Sequence, residues 1–107
     1  MNILKWNREF ALEQAADDSE LLGELLEIFK GSFAADLDSL EKGLKEGQAA
    51  VVSAAAHSIK GSSASLGMEG IRELAQPIEA ESRAGGLTEA QEKLPLLRQL
   101  LDEVRQL

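Results

Sequence analysis

Residues 17–47 read DDSELLGELLEIFKGSFAADLDSLEKGLKEG, and this stretch decides the fold class. Asp17, Asp18 and Ser19 are N-cap residue types, since a short oxygen-bearing side chain can accept from the free N–H groups of a first helical turn. Leu22, Leu25, Phe29, Phe33, Leu37, Leu40 and Leu44 then recur at steps of three or four, which lays them along one stripe of an α-helix. Gly31 and Gly43 weaken this helix without breaking it, and Gly47 marks its end.

Outward from this helix, four more segments follow the same logic. Upstream, Asn7 is a candidate N-cap for a short helix in which Phe10, Ala11, Gln14 and Ala15 form a rough stripe. Trp6 and Phe10 are expected to pack that helix across the end of the molecule. Downstream, a third helix runs from about Gln48 to Leu66, with Gly67 where a C-terminal glycine belongs. A fourth begins near Met68, places Ile71, Leu74, Ala75 and Ile78 on one face, and stops at Gly85-Gly86. Pro77 inside it should delete one backbone hydrogen bond and bend the helix. The fifth opens on Thr88-Glu89-Ala90-Gln91, a capping-box pattern, and carries a stripe of Ala90, Leu94, Leu97, Leu101 and Val104. Pro95 conflicts locally with that helix. The expectation is an all-α protein: an antiparallel four-helix bundle with an additional short N-terminal helix, residues 1–107 forming a single domain.

Composition removes several classes of function. The chain has no cysteine, so disulfide scaffolds, thiolate-bound zinc and thiol catalysis are excluded. Its formal net charge of −8 argues against nucleic acid and anionic membrane surfaces as partners. No apolar run approaches the roughly 20 residues that cross a bilayer, and the N-terminus lacks the apolar core of a signal peptide, so a cytoplasmic setting is expected. The acidic groups Asp17, Asp18, Glu20 and Asp36, Asp38, Glu41 sit at capping and helix-face spacings and read as solvated surface or dipole partners. Chemistry that needs two or three histidines is excluded, because His57 is the single histidine.

On a wheel of about 100° per residue, Val51, Val52, Ala55, Ile59, Ser62 and Leu66 of the third helix cluster as the core stripe. His57 falls almost opposite. Its neighbours on the outward face are Ala50, Ser53, Ala54, Lys60, Gly61 and Ala64, all small except Lys60. A solvated helix face normally carries long polar side chains. Gly61, in mid-helix, costs about 1 kcal/mol relative to alanine, which makes sense if another surface must approach the imidazole closely. The ammonium of Lys60, three residues on, shares the space of the ring and could meet an anion bound there.

The stretch Ala56-His57-Ser58-Ile59-Lys60-Gly61-Ser62-Ser63-Ala64-Ser65-Leu66-Gly67 resembles the signature of histidine-containing phosphotransfer (HPt) domains, and Ile71, Leu74 and Ile78-Glu79 are similar to the next helix of that family. The resemblance implies a phosphorelay protein that takes a phosphoryl group from an aspartate of one response-regulator receiver domain and passes it to another. In it His57 would be the phospho-accepting residue, Lys60 would steady the phosphoryl oxygens and Gly61 would give the receiver clearance. Glu79 best matches the family position that orients the imidazole, with Gln76 as second choice. Ala50, Ser53, Ala54 and Ala64 would meet the partner.

The chemistry suits these residues. Imidazole releases its proton nearest neutral pH and can offer a lone pair there, and phosphoryl transfer needs mainly alignment and charge stabilisation. One lysine cannot supply all of that. With no Gly-rich phosphate loop and no carboxylate cluster around the histidine, this chain is expected to bind no cofactor of its own, and the receiver should bring Mg2+ and an acidic pocket. Autokinase activity is not expected. The partners implied are receiver domains and, upstream, a hybrid sensor kinase, with the chain itself a monomer. The competing reading is a non-catalytic helical adaptor, in which the small face around His57 is a docking patch only.

Overall fold

The structure is a computed structural model describing residues 2–107. Among these residues it contains five α-helices: α1 (Arg8–Gln14), α2 (Ser19–Lys45), α3 (Ala49–Ser65), α4 (Glu69–Arg83) and α5 (Thr88–Arg105). Asp18 caps α2, its carboxylate accepting from the N–H groups of Glu20 and Leu21, and Asn7 caps α1 through the N–H of Phe10. α2 and α3 both end on a glycine in the left-handed region, Gly47 at φ +66° and Gly67 at φ +69°. At the second of these, the N–H of Gly67 reaches the carbonyl of Ala64 and the N–H of Met68 reaches that of Ser63. This paired closure satisfies the last carbonyls and turns the chain back on itself. The short connections make successive helices antiparallel. α3 packs on α2 and α4, and α5 closes the ring against both. The result is the four-helix bundle expected, with α1 laid on α2.

The core is built from Leu22, Phe29, Phe33, Leu37 and Leu40 of α2, Val52 and Ile59 of α3, Ile71 and Ile78 of α4, and Leu97, Leu100, Leu101 and Val104 of α5. Phe29 and Phe33 stack at 5.4 Å between centroids. The expected stripes and caps need adjustment, and Leu74 of α4 and Leu94 of α5 are only half-buried. In α2, Leu26 is buried while Leu25 and Leu44 are only half-buried. In α3 the buried residues are Val52, Ala55, Ala56, Ile59 and Ser63, while Val51 is exposed and Ser62 half-buried. In α5, Thr88 is the first helical residue and caps nothing. The cap comes instead from α4, where Oε1 of Glu81 accepts from the N–H of Glu89 at 2.6 Å.

Both prolines are accommodated without ending their helices. A proline cannot donate to the carbonyl four residues back. Those carbonyls belong to Glu73 and Gln91, both exposed, so water can serve them.

The N-terminal arm locks onto the α3–α4 turn. Asn7 donates to the carbonyl of Gly67 at 2.9 Å and Gly70 donates to that of Leu4 at 2.8 Å. Trp6 forms an isolated antiparallel bridge with Met68 and its indole N–H donates to the carbonyl of Leu66 at 3.0 Å. Trp6 is thus partly buried at the bundle end as expected, whereas Phe10 stays at the exposed rim. A Cβ on Gly70 would lie 1.8 Å from the carbonyl oxygen of Ile3. Gly70→Ala is therefore expected to displace the arm and cost about 1–3 kcal/mol of stability. Emission of Trp6, the single tryptophan, should shift to the red. Unchanged melting and emission would contradict this packing.

Candidate functional site

His57 stands on the outer side of α3 with its side chain 69% exposed, and Glu79 of α4 lies beneath it with 4% exposed. The reversal at Gly67 sets the two helices side by side and brings these residues together across 22 positions of sequence. Nδ1 of His57 is 2.6 Å from Oε2 of Glu79. Lys60 is ion-paired to the other oxygen, Oε1. Nη2 of Arg83, one turn further along α4, donates to Oε2 at 3.0 Å.

Burying a carboxylate is costly unless it is paired and hydrogen-bonded. Here the Lys60 ammonium is the main influence that holds the Glu79 carboxyl below the usual range; burial opposes it and the contact with His57 assists it. An ionised carboxylate only accepts. In the neutral ring the proton therefore sits on Nδ1, donated to Oε2, and the lone pair is on Nε2.

The ring opens on a shallow depression of about 560 Å³ between α3 and α4, walled by Ala50, Ser53 and Ala54 on one side and by Glu79, Ser82 and Arg83 on the other. Ala50 and Ala54 are exposed and Ser53 is half-buried. Ala64 is half-buried further along α3 and does not line the depression. Gly61 is exposed, and a Cβ built on it meets nothing within 4 Å. No packing inside the chain asks for glycine there. Gln76, the second choice for orienting the ring, is not brought to it: it is exposed and accepts from Arg72 at 3.5 Å. One helical face cannot serve both candidates, and the core side of α4 carries Glu79.

The hydroxyls of Ser62 and Ser63 both donate to the carbonyl of Ile59, at 3.3 and 2.6 Å. Asp36 accepts from Ser58 Oγ at 2.7 Å, and Asp38 and Glu41 pair with Arg98 of α5, so these carboxylates are surface partners. Among the described residues no cluster of three or more His, Asp or Glu side chains is placed to hold a metal ion, and no helix is long and apolar enough to cross a membrane. Arg83 was not singled out by the sequence. Its signal was the spacing Glu79–Arg83, four residues apart on one helix, which also describes many ordinary surface pairs.

A helical bundle that seats one exposed imidazole on a buried carboxylate, with a lysine one turn away, is a scaffold for presenting a single nucleophilic nitrogen. The chain belongs to the Hpt domain family, whose model matches residues 24–107. Domains of this family carry phosphoryl groups in two-component signalling and interact with receiver domains and hybrid kinases. In fold the chain is similar to the HPT domain of an Hpt sensor hybrid histidine kinase from Shewanella, with a TM-score of 0.79 and 24% identity, over 98% of this chain and 94% of that one. Among curated proteins none matches.

The lowered pKa of Glu79 has a definite consequence for stability. Its folded-state value lies below the ordinary 4.5, so its contribution to stability is fully present above that pH and is lost as the pH falls through the depressed value. Glu79→Gln is expected to be less stable than the parent at neutral pH, and the gap should narrow on acidification from about pH 5 toward pH 2. Denaturant melts at several pH values test this; parallel curves would contradict it.

Proposed function

We propose that Nε2 of His57 accepts a phosphoryl group from the phospho-aspartate of one receiver domain and yields it to the aspartate of another. One observation carries the reading: the exposed ring is held through Nδ1 at 2.6 Å by the buried carboxylate of Glu79. In the transfer the N–P bond forms at Nε2 while the acyl-phosphate P–O bond of the donor breaks. The aspartate leaves as a carboxylate. The positive charge gained by the ring stays at Nδ1–H, opposite Glu79. The reverse sequence delivers the group onward.

Lys60, half-exposed at 35%, is close enough in sequence and space to turn part of its charge toward phosphoryl oxygens. Gly61 leaves room for the receiver's backbone, which explains a glycine that no internal contact requires. Ala50, Ser53, Ala54 and Ala64 form the small-residue ground on which the receiver rests, a modest and mainly apolar contact suited to a transient complex. In this proposal the receiver brings Mg2+ and the acidic pocket, a hybrid sensor kinase stands upstream, and the chain works as a cytoplasmic monomer without autokinase activity.

The test is incubation with a phosphorylated receiver. The wild-type chain should acquire an acid-labile, base-stable label that His57→Gln abolishes; equal labelling of both would overturn the proposal and favour the adaptor. Gly61→Ala should stabilise the free chain by about 0.5–1 kcal/mol and yet slow transfer. Gly61→Arg should block transfer with helix content intact by circular dichroism. Lys60→Ala should slow transfer more than it lowers the melting temperature. Normal transfer in all three variants would count against the site.

A further inference from the structure

We propose that the receiver anchors itself away from the ring, in the groove between the first half of α2 and the end of α3, through an apolar surface rimmed by Lys or Arg that grips Ile28. This deepens the reading of His57 as the acceptor and rests on it.

The face around His57 offers clearance but little to hold. Its alanines, serines and glycine bury little area each. Even a weak protein–protein contact covers roughly 500 Å² on each partner, and a few large side chains carry most of its strength. Such a side chain stands one helix over. Ile28 of α2 is 68% exposed, and Leu21, two turns earlier on the same side, is 38% exposed. Beside them a groove of about 290 Å³ opens between the helices, lined by Leu25, Ile28 and Ser32 of α2, Ser62 and Ser65 of α3 and Gln14 of α1. A lone exposed isoleucine is ordinary. One that borders an apolar groove leading into a docking face is a seat for a partner's side chain.

The groove is continuous with that face. On α3, at about 100° per residue, Gly61 lies between His57 and the flank that carries Ser58, Ser62 and Ser65. On α2, Gly31, Ser32 and Ala35 follow Ile28 and are all exposed. A Cβ on Gly31 meets nothing within 4 Å, as at Gly61. The next residue, Asp36, accepts from Ser58 Oγ at 2.7 Å and ties this part of α2 to the neighbour of His57. Small side chains thus line the way from Ile28 to Gly61.

Charge says what kind of surface fits. Residues 8–28 contain seven acidic side chains and one basic one, Arg8. Glu24, one turn before Ile28, is exposed. A basic rim on the partner complements this field and speeds its approach. A second copy of the chain would bring the same acidic rim to a two-fold contact, and like charges would oppose it.

The experiment uses the full chain and two phosphoryl donors. Phosphoramidate needs no docking: the N–P bond forms at Nε2, the donor's P–N bond breaks, and ammonia leaves. The other donor is a purified receiver domain phosphorylated with acetyl phosphate, chosen from a panel as the one that labels the wild-type chain fastest. Ile28→Ala should lower the second-order rate constant with the receiver about five- to thirtyfold, with labelling by phosphoramidate and the melting temperature unchanged. Ile28→Leu should return most of the rate. Glu24→Lys should slow transfer from the receiver about two- to fivefold at about 20 mM salt, and the gap should close at about 0.5 M. Receiver transfer to Ile28→Ala at the wild-type rate, or an equal loss with both donors, would overturn the inference and leave the phosphoacceptor intact. Glu24→Lys matching wild type at low salt would overturn the charge match. Sedimentation showing a wild-type dimer that Ile28→Ala dissolves would make the groove an interface between copies and overturn it too. A wild-type chain labelled by phosphoramidate but by no receiver would remove the partner, and one that takes no label on His57 from either donor would overturn the acceptor as well.

Discussion

A carboxylate placed almost wholly out of water between two helices is the constraint from which the rest of this site follows. Glu79 cannot remain charged there without donors, and the described residues supply three: the ring of His57, the ammonium of Lys60 and the guanidinium of Arg83. The arrangement fixes protonation as well as geometry. Because Glu79 is ionised, it dictates which ring nitrogen carries the proton, and by elimination which one carries the lone pair. The carboxylate end is buried while the ring faces solvent. That division is what a residue must have if it is to be held by its own domain and reached by another.

The helix pair that supports this is packed through small side chains. α3 and α4 are the most extensively packed pair in the bundle, and their buried residues include Ala55, Ala56 and Ser63 on one and Gly70, Ala75 and Ser82 on the other. Short side chains let the axes approach, so a glutamate can span from one helix to a histidine on the outer side of the next. The closure at Gly67 sets the register between them, and the N-terminal arm braces that turn through Asn7, Trp6 and Leu4. The small outward face of α3 is a separate matter: Gly61 meets nothing in this chain, and under the proposed function that open space is where the receiver approaches.

Most of the architecture was legible because leucine stripes and glycine stops carry it. The regularity of Leu22, Phe29, Phe33, Leu37 and Leu40 left little freedom in placing α2. The phase of α3 was harder. Alanine and serine fill both its faces, so apolar contrast is too weak to distinguish Ala56 and Ser63, which are buried, from Val51 and Ser62, which are not fully so. The start of α5 misled because its cap is supplied from α4 by Glu81, a contact distant from the local pattern of Thr88 and Gln91. Pro95 conflicted with its helix only on paper, since the carbonyl it abandons belongs to an exposed residue. In the site, His57, Lys60 and Gly61 were visible as an anomaly in a helix face. Glu79 was found by its likeness to a family position, and Gln76 was separated from it only by knowing which side of α4 is packed. Arg83 was invisible, because an arginine one turn after a glutamate is commonplace.

The central claim is that Glu79 holds the proton on Nδ1 and leaves Nε2 free. Nitrogen-15 NMR of the imidazole in the unphosphorylated chain at neutral pH tests it most directly. The account predicts a protonated, pyrrole-like Nδ1 whose hydrogen bond is lost in Glu79→Gln, and an unprotonated, pyridine-like Nε2. A ring protonated on Nε2, or one exchanging evenly between its two tautomers as a free imidazole does, would contradict it.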